Sequence, residues 1–178
     1  MKRLQIGDVV TPRDLPTLRR GSVQVPDPDQ IVHLQFRRYA GCPICTTHLR
    51  AFAARHDEIA AAGIHEVVVF HSERDALLKH RAHLPFDVVP DPTKGLYREF
   101  GVERSLRAVL HPSSWLAGIR GWSPARGLRA GAGGYLGLPA DFLIGPDGRV
   151  LARHYGTHAN DNWSVDTMLS LVEGHATT

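Results

Sequence analysis

The segment Cys42-Pro43-Ile44-Cys45 stands where an apolar strand changes into an amphipathic helix. Residues 30–36 alternate apolar and polar side chains, which is typical of a strand. Within residues 45–60 the apolar side chains recur at helical spacing, and Gly63 supplies a stop signal. Pro43 suits the first position of the helix, because its missing N–H would have no intrahelical partner there. The two cysteines therefore lie on the first turn of a helix that follows a strand.

This placement gives the two thiols different surroundings. We expect Cys42 to cap the helix as the more exposed thiol with the lower pKa, because free N–H groups and the helix dipole favour a thiolate there. Cys45 falls on the apolar stripe, which predicts a sheltered sulfur. A thiolate attacks a disulfide, and a neighbouring thiol can then attack the mixed disulfide and release the product. The spacing predicts a redox-active dithiol in which Cys42 attacks and Cys45 resolves.

Two other uses of the cysteine pair stay open at this point. A structural zinc site needs four ligands, and one Cys-x-x-Cys motif supplies two. His80 and His83 are three residues apart on a predicted helix, but nothing in the sequence brings them to the cysteines. An inert pair is the remaining alternative. We therefore favour redox use and expect no bound metal.

The composition is that of an ordinary globular domain. The 178 residues are 43% hydrophobic and 22% charged, with a net charge of +3. A modest excess of arginines over residues 104–129 is interpreted as a solvated surface, so we expect no nucleic-acid partner. No apolar run is long enough to span a membrane, and no secretory signal is evident. Both cysteines belong to the motif, which favours the reducing cytoplasm.

The order of predicted elements indicates an α/β fold. Residues 1–29 are interpreted as an N-terminal extension with short strands. The apolar run at residues 67–70 predicts a strand buried on both faces of a parallel sheet. Residues 72–75 resemble a capping box and predict a helix that continues to about His83. A strand, a helix, a strand and a helix in succession predict a right-handed βαβ unit.

The second half of the chain contains one segment without a clear period. A short strand is predicted at residues 86–89, followed by a small helix that Asp91 caps. Residues 104–137 are interpreted as an insertion within a single domain that spans residues 1–178. A hairpin is predicted around residues 145–148, and then a last helix that begins after Ser164.

These residues together resemble the thioredoxin superfamily, and within it the peroxiredoxin-like branch of the alkyl hydroperoxide reductase and thiol-specific antioxidant type. The resemblance rests on residues 36–45, 84–102 and 142–148. It implies a thioredoxin-like three-layer α/β/α sandwich with a central mixed sheet. It also implies a cis-proline before a core strand, packed against the cysteines, and Pro139 occupies that position.

The resemblance implies a site built around Cys42 and Cys45. A substrate groove would be formed by four further residues: Pro139, Pro43, Tyr39 and Arg38. Peroxiredoxins carry a proline and a threonine seven and three positions before the peroxidatic cysteine, where this chain has Gln35 and Tyr39. The arginine that steadies peroxide in that family is absent near Pro139. These departures favour disulfide exchange over peroxide reduction.

The sequence thus predicts a thiol–disulfide oxidoreductase without a bound cofactor. A thiol peroxidase in which Cys45 resolves a sulfenic acid on Cys42 is the nearest alternative. A non-catalytic redox-sensing or binding module is a third. The expected partners are a disulfide or peroxide substrate and a thiol reductant such as a thioredoxin or a small thiol, and a homodimer is compatible with the family.

Overall fold

A computed structural model describes residues 3–19, 21–102 and 137–176. Its strands and helices, in chain order, are β1 (Arg13–Pro16), β2 (Ser22–Val25), β3 (Ile31–Arg37), α1 (Pro43–Ala54), α2 (His56–Ala61), β4 (Ile64–Phe70), α3 (Arg74–Arg81), β5 (Asp87–Pro90), α4 (Gly95–Glu99), β6 (Ala140–Ile144), β7 (Val150–Tyr155) and α5 (Val165–Ala176).

Within the described residues, five strands form one mixed sheet in the order β5-β4-β3-β6-β7. Strands β5, β4 and β3 are parallel, whereas β6 and β7 are antiparallel to their neighbours. The parallel pair β3 and β4 is joined through α1 and α2, which confirms the βαβ unit. Strand β3 is the central strand of the sheet. The cysteines follow its carboxyl end, so they lie near the middle of the sheet at the end where β3 stops.

Side chains from both faces of the sheet are buried, as expected for a sheet covered on each side. On one face, α1, α2, α3 and α5 supply apolar residues such as Phe52, Leu77 and Met168. On the other face, Val32, Leu34 and Phe36 of β3 pack against α4 and the β1–β2 hairpin. The predicted α/β sandwich with a mixed central sheet is confirmed.

Three local predictions are wrong in detail. The cysteine helix does not continue to residue 60, because it ends at Ala54 and α2 begins at His56. The capping box at residues 72–75 does not form: the Ser72 hydroxyl instead accepts a hydrogen bond from the Ala40 N–H at 3.0 Å, and α3 ends at Arg81. Asp91 does cap α4 through its carboxylate, but the helix starts only at Gly95.

The predicted insertion at residues 104–137 lies outside the described residues except for Gly137, so its interpretation stays a prediction. The hairpin of β6 and β7 and the Ser164 cap of α5 are confirmed. None of the helices in the described ranges has the length and apolar character that crossing a bilayer requires.

Candidate active site

The cysteine pair lies at the first turn of α1, directly behind the central strand. Cys42 is the N-cap residue with extended backbone angles, and Pro43 occupies the first helical position, as predicted. The Cys42 Sγ accepts a hydrogen bond from the Cys45 N–H at 3.4 Å. Both cysteines are free thiols in this structure.

The expected difference in exposure between the two thiols is wrong. Cys42 is 0% exposed and Cys45 is 3% exposed. The capping geometry explains the burial of Cys42, because its sulfur turns back over the first turn of α1 to accept the Cys45 N–H. A helix cap is therefore not an exposed position here.

The order of the two thiol pKa values is also opposite to the prediction. Burial acts to raise the pKa of Cys45, but hydrogen bonds from the Cys42 thiol and the Arg38 N–H, with the charges of Arg38 and Arg37, lower it to about 6. The hydrogen bond to Cys45, burial and the charge on Cys45 raise the pKa of Cys42 well above its ordinary value, against the effect of Arg38. In this reduced geometry the first thiolate forms at Cys45.

Guanidinium groups provide the positive charge near the sulfurs. Arg37 ends β3 and Arg38 follows it, so both lie a few residues before the motif, and both are buried. A third buried guanidinium comes from Arg81 at the end of α3. It donates to the Cys42 carbonyl at 3.2 Å and to the Thr46 Oγ1 at 2.9 Å. No sequence pattern singles out Arg81, because an arginine in the last turn of a helix usually faces solvent.

The residues that were expected to line the groove lie at the end of the sheet where β3 stops. Pro43 is exposed and Tyr39 is half-buried, with the Arg38 guanidinium 5.7 Å from the Tyr39 ring centre. Pro139 is buried and directly precedes Ala140, which pairs with Phe36 at the end of β3.

The expected cis bond at Pro139 is wrong. The one cis peptide bond within the described residues is Val25–Pro26, so the Leu138–Pro139 bond is trans. The loop after β7 does reach Pro139: the Gly156 N–H donates to the Pro139 carbonyl at 2.9 Å. A side chain at Gly156 would come within 2.8 Å of the Pro139 Cγ, so only glycine permits this close approach.

A buried polar cluster, formed by His33, Gln35, Arg37, Glu66 and Asp141, lies beneath α1. The first three alternate along β3 on the face toward α1, with Glu66 opposite His33 and Asp141 opposite Gln35. His33 contacts Glu66 at 2.5 Å, and Gln35 donates to Glu66 at 2.6 Å. Arg37 donates to both Gln35 and Asp141 at 2.6 Å.

The charges of this cluster shift the pKa values of His33 and Asp141 toward their ionised forms. Burial acts to lower the pKa of His33, but the charge of Glu66 and the hydrogen bond to Asp141 raise it to about 9. Burial acts to raise the pKa of Asp141, but the charge of Arg37 and the hydrogen bond from His33 lower it well below its ordinary value. The cluster therefore contains an imidazolium and a guanidinium among carboxylates.

His48 connects this cluster to α1. Its Nε2 lies 2.9 Å from the Arg37 Nη2 and accepts that hydrogen bond. Burial and the charge of Arg37 lower the pKa of His48 to about 3, so the imidazole is neutral near pH 7. Arg37 also donates to the Asn162 side chain at 3.1 Å, which joins the loop after β7 to the cluster.

No other site competes clearly with this one in the described part of the chain. Three or more potential metal ligands are not grouped anywhere within it. A cavity of about 290 Å³ opens at the opposite end of β4, where His56, His65 and Glu66 line it. The cysteines do not line that cavity, so its volume says nothing about their substrate.

Similar solved structures have the same fold. Peroxidoxin BcpB from Mycobacterium tuberculosis has a TM-score of 0.72 at 19% identity, over 97% of this chain and 98% of that chain. Mycobacterium tuberculosis AhpC has a TM-score of 0.71 at 16% identity, over 99% and 95%. A putative thiol:disulfide interchange protein DsbE from Chlorobium tepidum has a TM-score of 0.63 at 22% identity, over 95% and 99%. The fold is thus thioredoxin-like.

The sequence also matches a known family. No curated protein matches the chain. A family model described as AhpC/TSA antioxidant enzyme matches residues 51–158, more than half of the chain. The matched residues begin after Cys45, so the match covers the scaffold and not the cysteine pair. The resemblance on which the sequence analysis rested is confirmed, and this chain belongs to the AhpC/TSA antioxidant enzyme family.

Proposed function

We propose that this protein is a thiol–disulfide oxidoreductase in which Cys42 and Cys45 cycle between a dithiol and a disulfide. The observation that carries the proposal is the position of both thiols on the first turn of α1, where the Cys42 Sγ accepts the Cys45 N–H at 3.4 Å. The Cys-x-x-Cys spacing closes a small ring when the S–S bond forms, so the pair can open and close reversibly. The positive charges of Arg37 and Arg38 stabilise a thiolate on the pair, which is the reactive species.

The proposed reaction begins with a proton shift between the sulfurs. Cys42 passes its proton to Cys45 and attacks one sulfur of the substrate disulfide, whose S–S bond breaks. The departing substrate sulfur takes the proton that Cys45 now carries. Cys45 then attacks the Cys42 sulfur, and the second substrate sulfur leaves with a proton from water. Two electrons pass from the cysteines to the substrate, and a thiol reductant, such as a thioredoxin or a small thiol, restores the dithiol.

The rest of the site would recognise the substrate. Arg38 and Tyr39 precede the motif, Pro43 is its exposed second residue, and Pro139 lies beside the end of β3. We propose that these four residues line the groove for the substrate. The electrons move through the cysteines, so no bound cofactor is needed. A reducing compartment such as the cytoplasm would keep the pair reduced between turnovers.

A thiol peroxidase is the second candidate, and membership of the AhpC/TSA family favours it. In that reaction Cys42 would attack a peroxide, become a sulfenic acid and release water or an alcohol, and Cys45 would displace a second water. Gln35 does not support this chemistry, because Glu66 and Arg37 occupy its side-chain amide. Each missing donor to the departing oxygen costs on the order of a hundredfold in rate.

The experiment is a stopped-flow comparison of the reduced protein with hydrogen peroxide and with a model disulfide. We expect faster reaction with the disulfide, and no reaction with either by the Cys42→Ser, Cys45→Ser variant. Consumption of peroxide near the diffusional ceiling would favour the peroxidase. A wild-type protein that oxidises but does not turn over with a thiol reductant would instead be a redox-sensing module.

A further inference from the structure

The last residue of α3 is a buried cation without an anionic partner. Arg81 is 2% exposed, and its guanidinium lies 5.3 Å from the centre of the Phe70 ring. Its hydrogen bonds go to two neutral oxygens, the Cys42 carbonyl and the Thr46 hydroxyl. No carboxylate in the described ranges forms an ion pair with it, and its Nε has no partner there. A buried charge in such surroundings is costly unless an anion is near.

The anion that this geometry offers is a cysteine thiolate. Arg81 is hydrogen-bonded to the residue that carries one of the two sulfurs. Burial lowers the pKa of Arg81, and negative charge on Cys45 or Cys42 acts against that effect. Thr46 donates to the same Cys42 carbonyl at 2.9 Å, which fixes the guanidinium against the first turn of α1. Arg37, in contrast, has its own carboxylate partner in Asp141.

We propose that Arg81 is a positioning residue that stabilises the reduced form of the cysteine pair over the disulfide. In the reduced pair one sulfur is a thiolate, and its negative charge offsets the buried guanidinium. The disulfide carries no charge. Oxidation therefore leaves Arg81 uncompensated. A pair whose reduced form is stabilised is a strong oxidant. The inference rests on the proposed function and adds to it that the step in which a thiol reductant restores the dithiol is the more favourable step of the cycle.

The test is a redox equilibrium with glutathione, in which one S–S bond forms between Cys42 and Cys45 while that of oxidised glutathione breaks. The two electrons reduce glutathione to two thiols. For Arg81→Met we expect about a tenfold shift of this equilibrium toward the protein disulfide, and about one unit of increase in the first thiol pKa followed by thiolate absorbance. Arg81→Lys should restore part of both. Lys79→Met removes an exposed charge from the same helix end and should change neither.

A folded Arg81→Met variant with an unchanged equilibrium and an unchanged thiol pKa would overturn the inference, as would an equal effect of Lys79→Met. If Arg81→Met does not fold, urea unfolding of the wild-type protein decides: we expect the reduced form to be the more stable, and the opposite order would contradict the role of Arg81. A wild-type protein that forms no internal disulfide with glutathione would refute the proposed function. In that case the thiol pKa of the Arg81→Met variant, followed by thiolate absorbance, would still test the role of Arg81.

Discussion

His33 of β3 and Glu66 of β4 lie directly opposite each other in a parallel pair, fully buried, with the His33 Nδ1 2.5 Å from the Glu66 Oε1. Because the folded pKa of His33 is raised from 6.5 to about 9, protonated His33 stabilises the fold. This contribution is fully present below pH 6.5 and is lost as the pH rises through about 9.

Urea unfolding between pH 6 and pH 10 tests this dependence. Ionisation of Cys45 acts in the opposite direction, since its lowered pKa stabilises the fold as the pH rises. The measurement therefore uses the Cys42→Ser, Cys45→Ser background. Stability should fall with pH in this background and should fall less after His33→Gln. The exposed His80→Gln is the control, and an equal effect of both variants would contradict the prediction.

Asp141→Asn should destabilise the protein by about 3–5 kcal/mol, because it leaves the buried Arg37 without its carboxylate partner. Asp166→Asn breaks an ion pair with Arg55 in which the aspartate is 80% exposed, and it should change the stability far less. Denaturant unfolding compares the two. Similar losses would show that Arg37 does not depend on Asp141.

The cysteine pair should react as a thiolate well below the ordinary thiol pKa. We expect the rate of alkylation by iodoacetamide to rise with pH through about 6, because the pKa of Cys45 is lowered to that value. Cys42→Ala should move this midpoint upward, since Cys45 then loses the hydrogen bond that lowers its pKa. Peptide mapping identifies the labelled sulfur. A midpoint near 9 in the wild-type protein would refute this prediction.

Cys45→Ser should trap a mixed disulfide between Cys42 and a model disulfide, whereas Cys42→Ser should trap almost none. The reason is that removal of the resolving thiol blocks only the second exchange step. Mass spectrometry of the intact protein measures the adduct. If only Cys42→Ser traps the adduct, Cys45 is the attacking sulfur and the proposed roles are reversed.

Gly156→Ala should destabilise the protein by about 1–3 kcal/mol, because a Cβ would lie 2.5 Å from the Asp161 carbonyl oxygen and 2.8 Å from the Pro139 Cγ. Gly174→Ala in α5 is the matched control, since nothing lies within 4 Å of its added Cβ. It should be neutral or stabilising by up to about 1 kcal/mol. Thermal unfolding of both variants separates crowding from a general effect of alanine.

Sequence patterns correctly predicted the features that depend on neighbouring residues alone. Strand β3, the cap at Cys42 and Pro43 at the first helical position all follow from periodicity and from helix-end chemistry. The burial of Cys42 does not, because it depends on where the side chain turns once the helix has packed. A cap position alone therefore does not predict whether the Cys42 thiol is exposed.

The buried polar cluster could not be predicted because its members are far apart in the chain. His33 and Gln35 appeared as the polar side of an alternating strand, which ordinarily faces water. Their partners Glu66 and Asp141 come from strands more than 30 residues away. One signal was present: Glu66 adjoins an apolar run that predicts a strand buried on both faces, so its carboxylate required a buried partner.

The ion pair between His33 and Glu66 also bears on how the sheet assembles. Strand β4 is an almost uninterrupted apolar run after Glu66, and such a run packs nearly as well when it slips along its neighbour by two residues. A slip of that size would place an apolar residue opposite His33 and would separate the buried charges of His33 and Glu66. Separating buried charges costs about 3–5 kcal/mol, so the ion pair selects one register during folding.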